Sequence, residues 1–67
     1  MITVSINGKP HQFDFPITVT ELTERLGFTG KRIAIECNGE IIPRSQFSSR
    51  QLANGDRLEI VVAVGGG

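Results

Sequence analysis

The sequence predicts an α+β roll, a mixed sheet of four to five strands with one main helix on one face. Three observations predict it. Short stretches of period-two apolar alternation lie on both sides of a single stretch with helical period. Three Asn-Gly pairs, Asn7-Gly8, Asn38-Gly39 and Asn54-Gly55, mark tight turns, because both residue types tolerate positive φ. The chain has 67 residues, the size of one domain, and such a domain buries only about 60% of the surface its unfolded form exposes.

In chain order, Ile2, Val4 and Ile6 alternate with Thr3 and Ser5 and form a first strand. Past Asn7-Gly8, His11, Phe13 and Phe15 alternate with Gln12 and Asp14, which makes a second strand that Pro16 closes. Thr18-Val19-Thr20-Glu21 has the form of a capping box, in which the Thr18 hydroxyl and the Glu21 carboxylate satisfy each other's backbone N–H. Val19, Leu22 and Leu26 follow at helical spacing, with Glu21, Glu24 and Arg25 outward. Gly27 stands where a helix ends, and Phe28 can fold back on the last turn.

Ile33, Ile35 and Cys37 give a third strand, and Asn38-Gly39 turns it into the short run Ile41-Ile42, which Pro43 ends. Residues 44–52 read as a loop with one helical turn, anchored by Phe47 and Leu52. The final strand carries Leu58, Ile60, Val62 and Val64 at alternate positions, with Glu59, Val61 and Ala63 between them. A hairpin followed by a crossover helix lets the last strand pair parallel to the first. This is the ββαββ order of the β-grasp roll. The expected core is Val4, Ile6, Val19, Leu22, Leu26, Ile35, Leu58 and Ile60.

Charge excludes several function classes. Seven basic and seven acidic side chains give a formal charge of zero, with no long run of either sign. Nucleic acid is not an expected partner, since phosphate contacts need a basic patch. The longest apolar run, residues 60–64, is too short to span a membrane. No signal peptide and no internal disulfide can be drawn, so a cytoplasmic protein is expected.

Catalytic candidates are few. His11 is the one histidine, and its place in an alternating strand makes it a half-buried or surface residue. Cys37 closes the third strand, where a core thiol is expected. Neither a metal set nor a Ser-His-Asp or Cys-His pair can be assembled, and no phosphate loop occurs. The expectation is no catalytic residue, no metal and no bound cofactor.

The remaining distinct chemistry is at the end of the sequence. Residues 1–64 are expected to form the domain, and Gly65, Gly66 and Gly67 a flexible tail closed by the Gly67 carboxylate. A carboxylate is ionised at neutral pH and is a poor acyl donor until activated, as by joining AMP. Three residues reach about 10 Å when extended, enough to thread a slot in a partner enzyme. Val61, Ala63 and Val64 are the candidate partner-binding residues, because the odd-numbered apolar set, opposite the core set, has no intramolecular reason to be apolar. The competing reading is a strand buried on both faces.

Taken together, these residues resemble the sulfur carriers of thiamin biosynthesis, the ThiS family of ubiquitin-like β-grasp proteins. The resemblance covers the whole chain. It rests on residues 2–7, on Thr18-Val19-Thr20-Glu21-Leu22, on Asn38-Gly39-Glu40-Ile41-Ile42-Pro43-Arg44, on Asn54-Gly55-Asp56 and on Val64-Gly65-Gly66-Gly67. Phe47 stands where the family often has Trp, and three glycines end the sequence where two are the minimum. The resemblance implies that a ThiF-type adenylating enzyme uses ATP to make a Gly67 acyl-adenylate. A sulfur donor, supplied from cysteine through a desulfurase persulfide, converts it to a thiocarboxylate. A ThiG-type thiazole synthase then takes the sulfur. Alternatives are a carrier like the small subunit of molybdopterin synthase, a ubiquitin-like protein modifier, and a regulatory β-grasp module whose tail is slack.

Overall fold

The computed structural model describes residues 1–63; Val64, Gly65, Gly66 and Gly67 lie outside the described residues. Its elements are β1 (Ile2–Ile6), β2 (Lys9–Phe13), α1 (Val19–Arg25), β3 (Ile33–Cys37), β4 (Glu40–Ile42), a 3-10 turn (Arg44–Gln46) and β5 (Arg57–Val62). The strands form one sheet in the order β2-β1-β5-β3-β4. β1 pairs antiparallel with β2 and parallel with β5, and β3 pairs antiparallel with both β5 and β4. The last strand therefore enters the middle of the sheet. This is the ubiquitin-like β-grasp roll that the order of elements predicts.

Two of the three Asn-Gly pairs make hairpins and the third does not. Asn7 (φ 51°) with Gly8 (φ 84°), and Asn38 (φ 53°) with Gly39 (φ 87°), have positive φ at both positions, as a type I′ turn requires. At Asn54-Gly55 only the glycine is left-handed, at φ 91°, and the Asp56 N–H donates to the Ala53 carbonyl at 3.1 Å. That is the pattern of a type II turn, and it delivers the chain to the parallel edge of β1.

Helix α1 has only seven residues, too few to stand without packing and caps. The Thr18 hydroxyl accepts from the Glu21 N–H at 3.1 Å, and the Glu21 carboxylate accepts from the Thr18 N–H at 2.9 Å, so the capping box is complete. The loop before β5 supplies the rest. The Val19 N–H donates to the Arg50 carbonyl and the Thr20 N–H to the Phe47 carbonyl, each at 3.0 Å. At the other end the Phe28 N–H reaches the Thr23 carbonyl at 2.8 Å and the Gly27 N–H the Glu24 carbonyl at 3.2 Å. These two bonds, with Gly27 at φ 79°, are a Schellman close.

The core is wider than the sequence predicts. Val4, Ile6, Val19, Leu22, Ile35, Leu58 and Ile60 are buried as expected, and Leu26 is only partly buried against them. Cys37 is buried as the core thiol expected of it and Leu52 as the anchor of its loop, and Ile2, Ile17 and Ile42 are buried as well. Ile17 and Leu52 are joined by the Leu52 N–H bond to the Ile17 carbonyl at 2.8 Å, where the loop passes under the entry to α1. Strand two also needs correction. It runs Lys9–Phe13, and Phe15 lies beyond it, 60% exposed. Pro10 sits inside this strand, opposite Ser5, which an edge strand permits because its missing N–H can face outward.

Candidate docking face

Burial along β5 alternates. Leu58 and Ile60 point to the helix side, while Arg57, Glu59 and Val61 are exposed on the uncovered face. Val61 is 61% exposed and stands opposite Ala34, itself exposed, on β3. One residue past the strand, Ala63 is exposed, and its N–H donates to the Arg32 carbonyl at 2.8 Å. A strand buried on both faces is therefore not what β5 is at Val61. Of the expected partner-binding residues, Val61 and Ala63 come together on the open face. Val64 and the glycines Gly65, Gly66 and Gly67 fall outside the described residues.

Two cations outside the expected partner-binding set, Arg32 and Arg44, frame the same place. Arg32, Ile33, Ala34, Arg44, Val61 and Ala63 line one shallow groove beside the end of β5. Arg44 is set there by Pro43, which opens the 3-10 turn, and its guanidinium donates to the Lys31 carbonyl at 3.4 Å. The Pro43-Arg44 pair was the available signal; its position against β5 depends on a non-local fold. On the β4 side, Ile41 is 74% exposed and stands opposite Glu36, which stands opposite Glu59.

The two nucleophile candidates do not meet. His11 is half-buried on β2 and Cys37 is at the end of β3, with β1 and β5 between those strands. Cys37 is buried, and that burial, with the nearby Asp56 carboxylate, pushes its thiol pKa up although Arg50 opposes the shift. The Arg50 guanidinium donates to Sγ at 3.6 Å. A protonated, buried thiol is a poor nucleophile. Among the described residues, no three His, Cys, Asp or Glu side chains gather as a metal site. No helix among them is long and apolar enough to cross a membrane.

A one-helix β-grasp roll with an exposed apolar strip on its central strand, and no assembled catalytic group among the described residues, defines the class of small ubiquitin-like domains. Within that class the chain belongs to the ThiS family, whose pattern matches residues 4–67. It is similar to a crystal structure of a thiamine biosynthesis protein (ThiS) from Geobacter metallireducens, with TM-score 0.83 and 32% identity, covering 98% of this chain and 100% of that one. Among curated relatives, an uncharacterized protein ycf40 of Pyropia yezoensis is 38% identical over 66 residues, 98% of this chain and 93% of that one. A thiazole synthase of Paramagnetospirillum magneticum is 40% identical over 62 residues, which is 92% of this chain but only 19% of that protein.

Proposed function

We propose that this protein is a sulfur carrier of thiamin biosynthesis, a substrate handed between enzymes and not an enzyme itself. The observation that carries the reading is the match to the ThiS family over residues 4–67, a span that includes the glycines. A second support is the stretch of similar sequence within a protein named thiazole synthase. Two functions carried on one chain in one organism are often carried by separate partner chains in another, so a ThiG-type thiazole synthase is the proposed acceptor.

In this reading the Gly67 carboxylate attacks the α-phosphorus of ATP on a ThiF-type adenylating enzyme, and pyrophosphate leaves. The carrier binds no cofactor of its own; the ATP belongs to the partner. The terminal sulfur of a persulfide fed by the desulfurase pathway attacks the acyl carbon and displaces AMP, leaving an acyl disulfide. A second thiol then attacks the donor's sulfur, takes it up as a disulfide and releases the Gly67 thiocarboxylate. Sulfur is the softer, less tightly solvated atom, so the thiocarboxylate is the better nucleophile toward the thiazole precursor. Gly65 and Gly66 enter the partner's slot because they add no bulk and let the backbone approach closely. Val61, Ala63 and Val64 form the apolar part of the contact.

ATP–pyrophosphate exchange with the cognate adenylating enzyme tests the reading. The parent should support exchange. Gly66→Ala should lower it more than deletion of Gly67, since an added β-carbon clashes in a slot that admits only glycine. If both variants exchange as fast as the parent, the glycine end is not the acceptor.

A further inference from the structure

The uncovered face is ordered by charge along its length. On β5 the exposed residues run Arg57, Glu59, Val61 and, just past the strand, Ala63. On β3 the exposed partners are Glu36, opposite Glu59, and Ala34, opposite Val61. Arg32 follows, holding the Ala63 N–H on its carbonyl at 2.8 Å. Arg32 and Arg44 both line the groove that contains Val61 and Ala63. The face therefore has a cationic end, an apolar middle and a carboxylate pair. The formal charge of the chain is zero, so this order is a matter of placement and not of composition.

The carboxylate pair works against the fold. Like charges directly opposite each other on adjacent strands destabilise a sheet, and Glu36 and Glu59 are such a pair in the centre of this one. Arg57 lines the same groove as both glutamates, so one cation faces two carboxylates and the place stays net negative. Exposed Ile41, opposite Glu36, and Val61, two residues beyond Glu59, flank it with apolar surface.

We infer that this face docks a partner whose surface carries a basic side chain seated between Glu36 and Glu59, an apolar ridge over Val61 and Ala34, and an acidic side chain toward Arg32 and Arg44. The inference rests on the carrier reading and assigns this surface to the adenylating enzyme. Positions 59 and 63 are about 13 Å apart along a strand, so two opposite charges at that separation fix one direction of docking. That direction aims the end of β5 into the partner. Charge complementarity of this kind sets register and on-rate more than raw affinity, which suits a carrier that must leave again. A second copy of the chain turned end for end would also match the charges. Stable self-association needs a larger apolar core than Val61 and Ile41 provide.

The test is ATP–pyrophosphate exchange with the cognate adenylating enzyme at low and at high salt, run beside thermal melting. Glu59→Lys should raise the KM for the carrier about tenfold at low salt, leave kcat unchanged, and lose most of that effect at high salt. Its melting temperature should equal or exceed the parent's, since the substitution turns the repulsion across the pair with Glu36 into attraction. Arg32→Glu should raise KM in the same way. Asp14→Lys makes the same charge change beyond the edge strand and should leave KM within twofold of the parent. The inference is overturned if Glu59→Lys leaves KM unchanged, if Asp14→Lys raises it equally, or if the free carrier sediments as a dimer that Glu59→Lys dissociates. A parent that supports no exchange takes down the carrier reading and this inference with it; a parent and a Glu59→Lys variant that exchange equally take down only the docking polarity.

Discussion

Asn7 holds Ile60 by both sides of its backbone: Asn7 Oδ1 accepts from the Ile60 N–H at 2.7 Å, and Nδ2 donates to the Ile60 carbonyl at 3.1 Å. β1 turns away at Asn7-Gly8 while β5 continues, so the parallel ladder loses its backbone partner there. The side-chain amide replaces it. Asn38 and Asn54 act similarly: Asn38 Oδ1 accepts from the Arg57 N–H at 2.9 Å, and Asn54 Oδ1 from the Thr3 N–H at 2.8 Å. Each asparagine makes a turn and also ties that turn to a different strand.

Asn7→Gly separates these two roles, because glycine keeps the positive φ and removes the amide. Two lost hydrogen bonds to a partly buried strand should cost about 1–3 kcal/mol in urea titration. Hydrogen exchange at the Ile60 amide should speed up more than at Leu58. Equal protection of Ile60 in parent and variant would show that the amide does not hold the strand.

Leu22→Ala tests the helix face. Leu22 is fully buried, and removing its side chain should cost roughly 2–5 kcal/mol. Total stability is only about 0.05–0.15 kcal/mol per residue, so the variant should be partly unfolded at moderate temperature by circular dichroism. A loss under about half a kcal/mol would contradict the packing of α1 on the sheet.

The capping box gives a pH dependence with a defined sign. The Thr18 N–H bond to the Glu21 carboxylate, then the Thr18 hydroxyl, and last the Arg25 charge hold the Glu21 pKa below the ordinary glutamate value, with desolvation opposing them. A carboxyl whose pKa is lowered by folding contributes stability that is present above its unfolded pKa and is lost as pH falls through its folded pKa. NMR titration of the Glu21 side-chain carbonyl should give a midpoint below those of free glutamates. Thr18→Ala should raise that midpoint only partway, because the backbone N–H remains. A midpoint equal to that of the unfolded chain would contradict the cap.

The periodicity of β1, β3 and β5, the three turns and both helix ends were legible in the sequence because each is set by residues within about four positions of one another. Leu52 was legible as an anchor of its loop but its partner Ile17 was not, since the burial of Ile17 comes from that loop crossing under α1, a contact far away in sequence. Phe15 misled for the same reason. It extends the alternation of His11 and Phe13, but β1 ends at its pairing of Ile2 with Phe13 and leaves nothing for it to pair with. The exposed strip at Val61 and Ala63 could be drawn from alternation alone. Its framing by Arg32 and Arg44 required the fold that brings residues 32, 44 and 63 to one edge.

Val61→Glu places a charge in the middle of the strip at a position 61% exposed. It should weaken adenylation by the partner enzyme at least tenfold, a change of about 1.4 kcal/mol, with the melting temperature nearly unchanged. Unfolding of the variant, or exchange at the parental rate, would remove Val61 from the docking surface.

The most direct measurement of the central claim is intact-protein mass spectrometry of the carrier after incubation with the adenylating enzyme, ATP, the desulfurase and cysteine. Sulfur delivery predicts a species heavier by one sulfur in place of one oxygen, with fragmentation placing the change on Gly67 and no such species when ATP is omitted. A protein that stays at its original mass under these conditions, or that appears instead joined to lysines of other proteins, would contradict the carrier account.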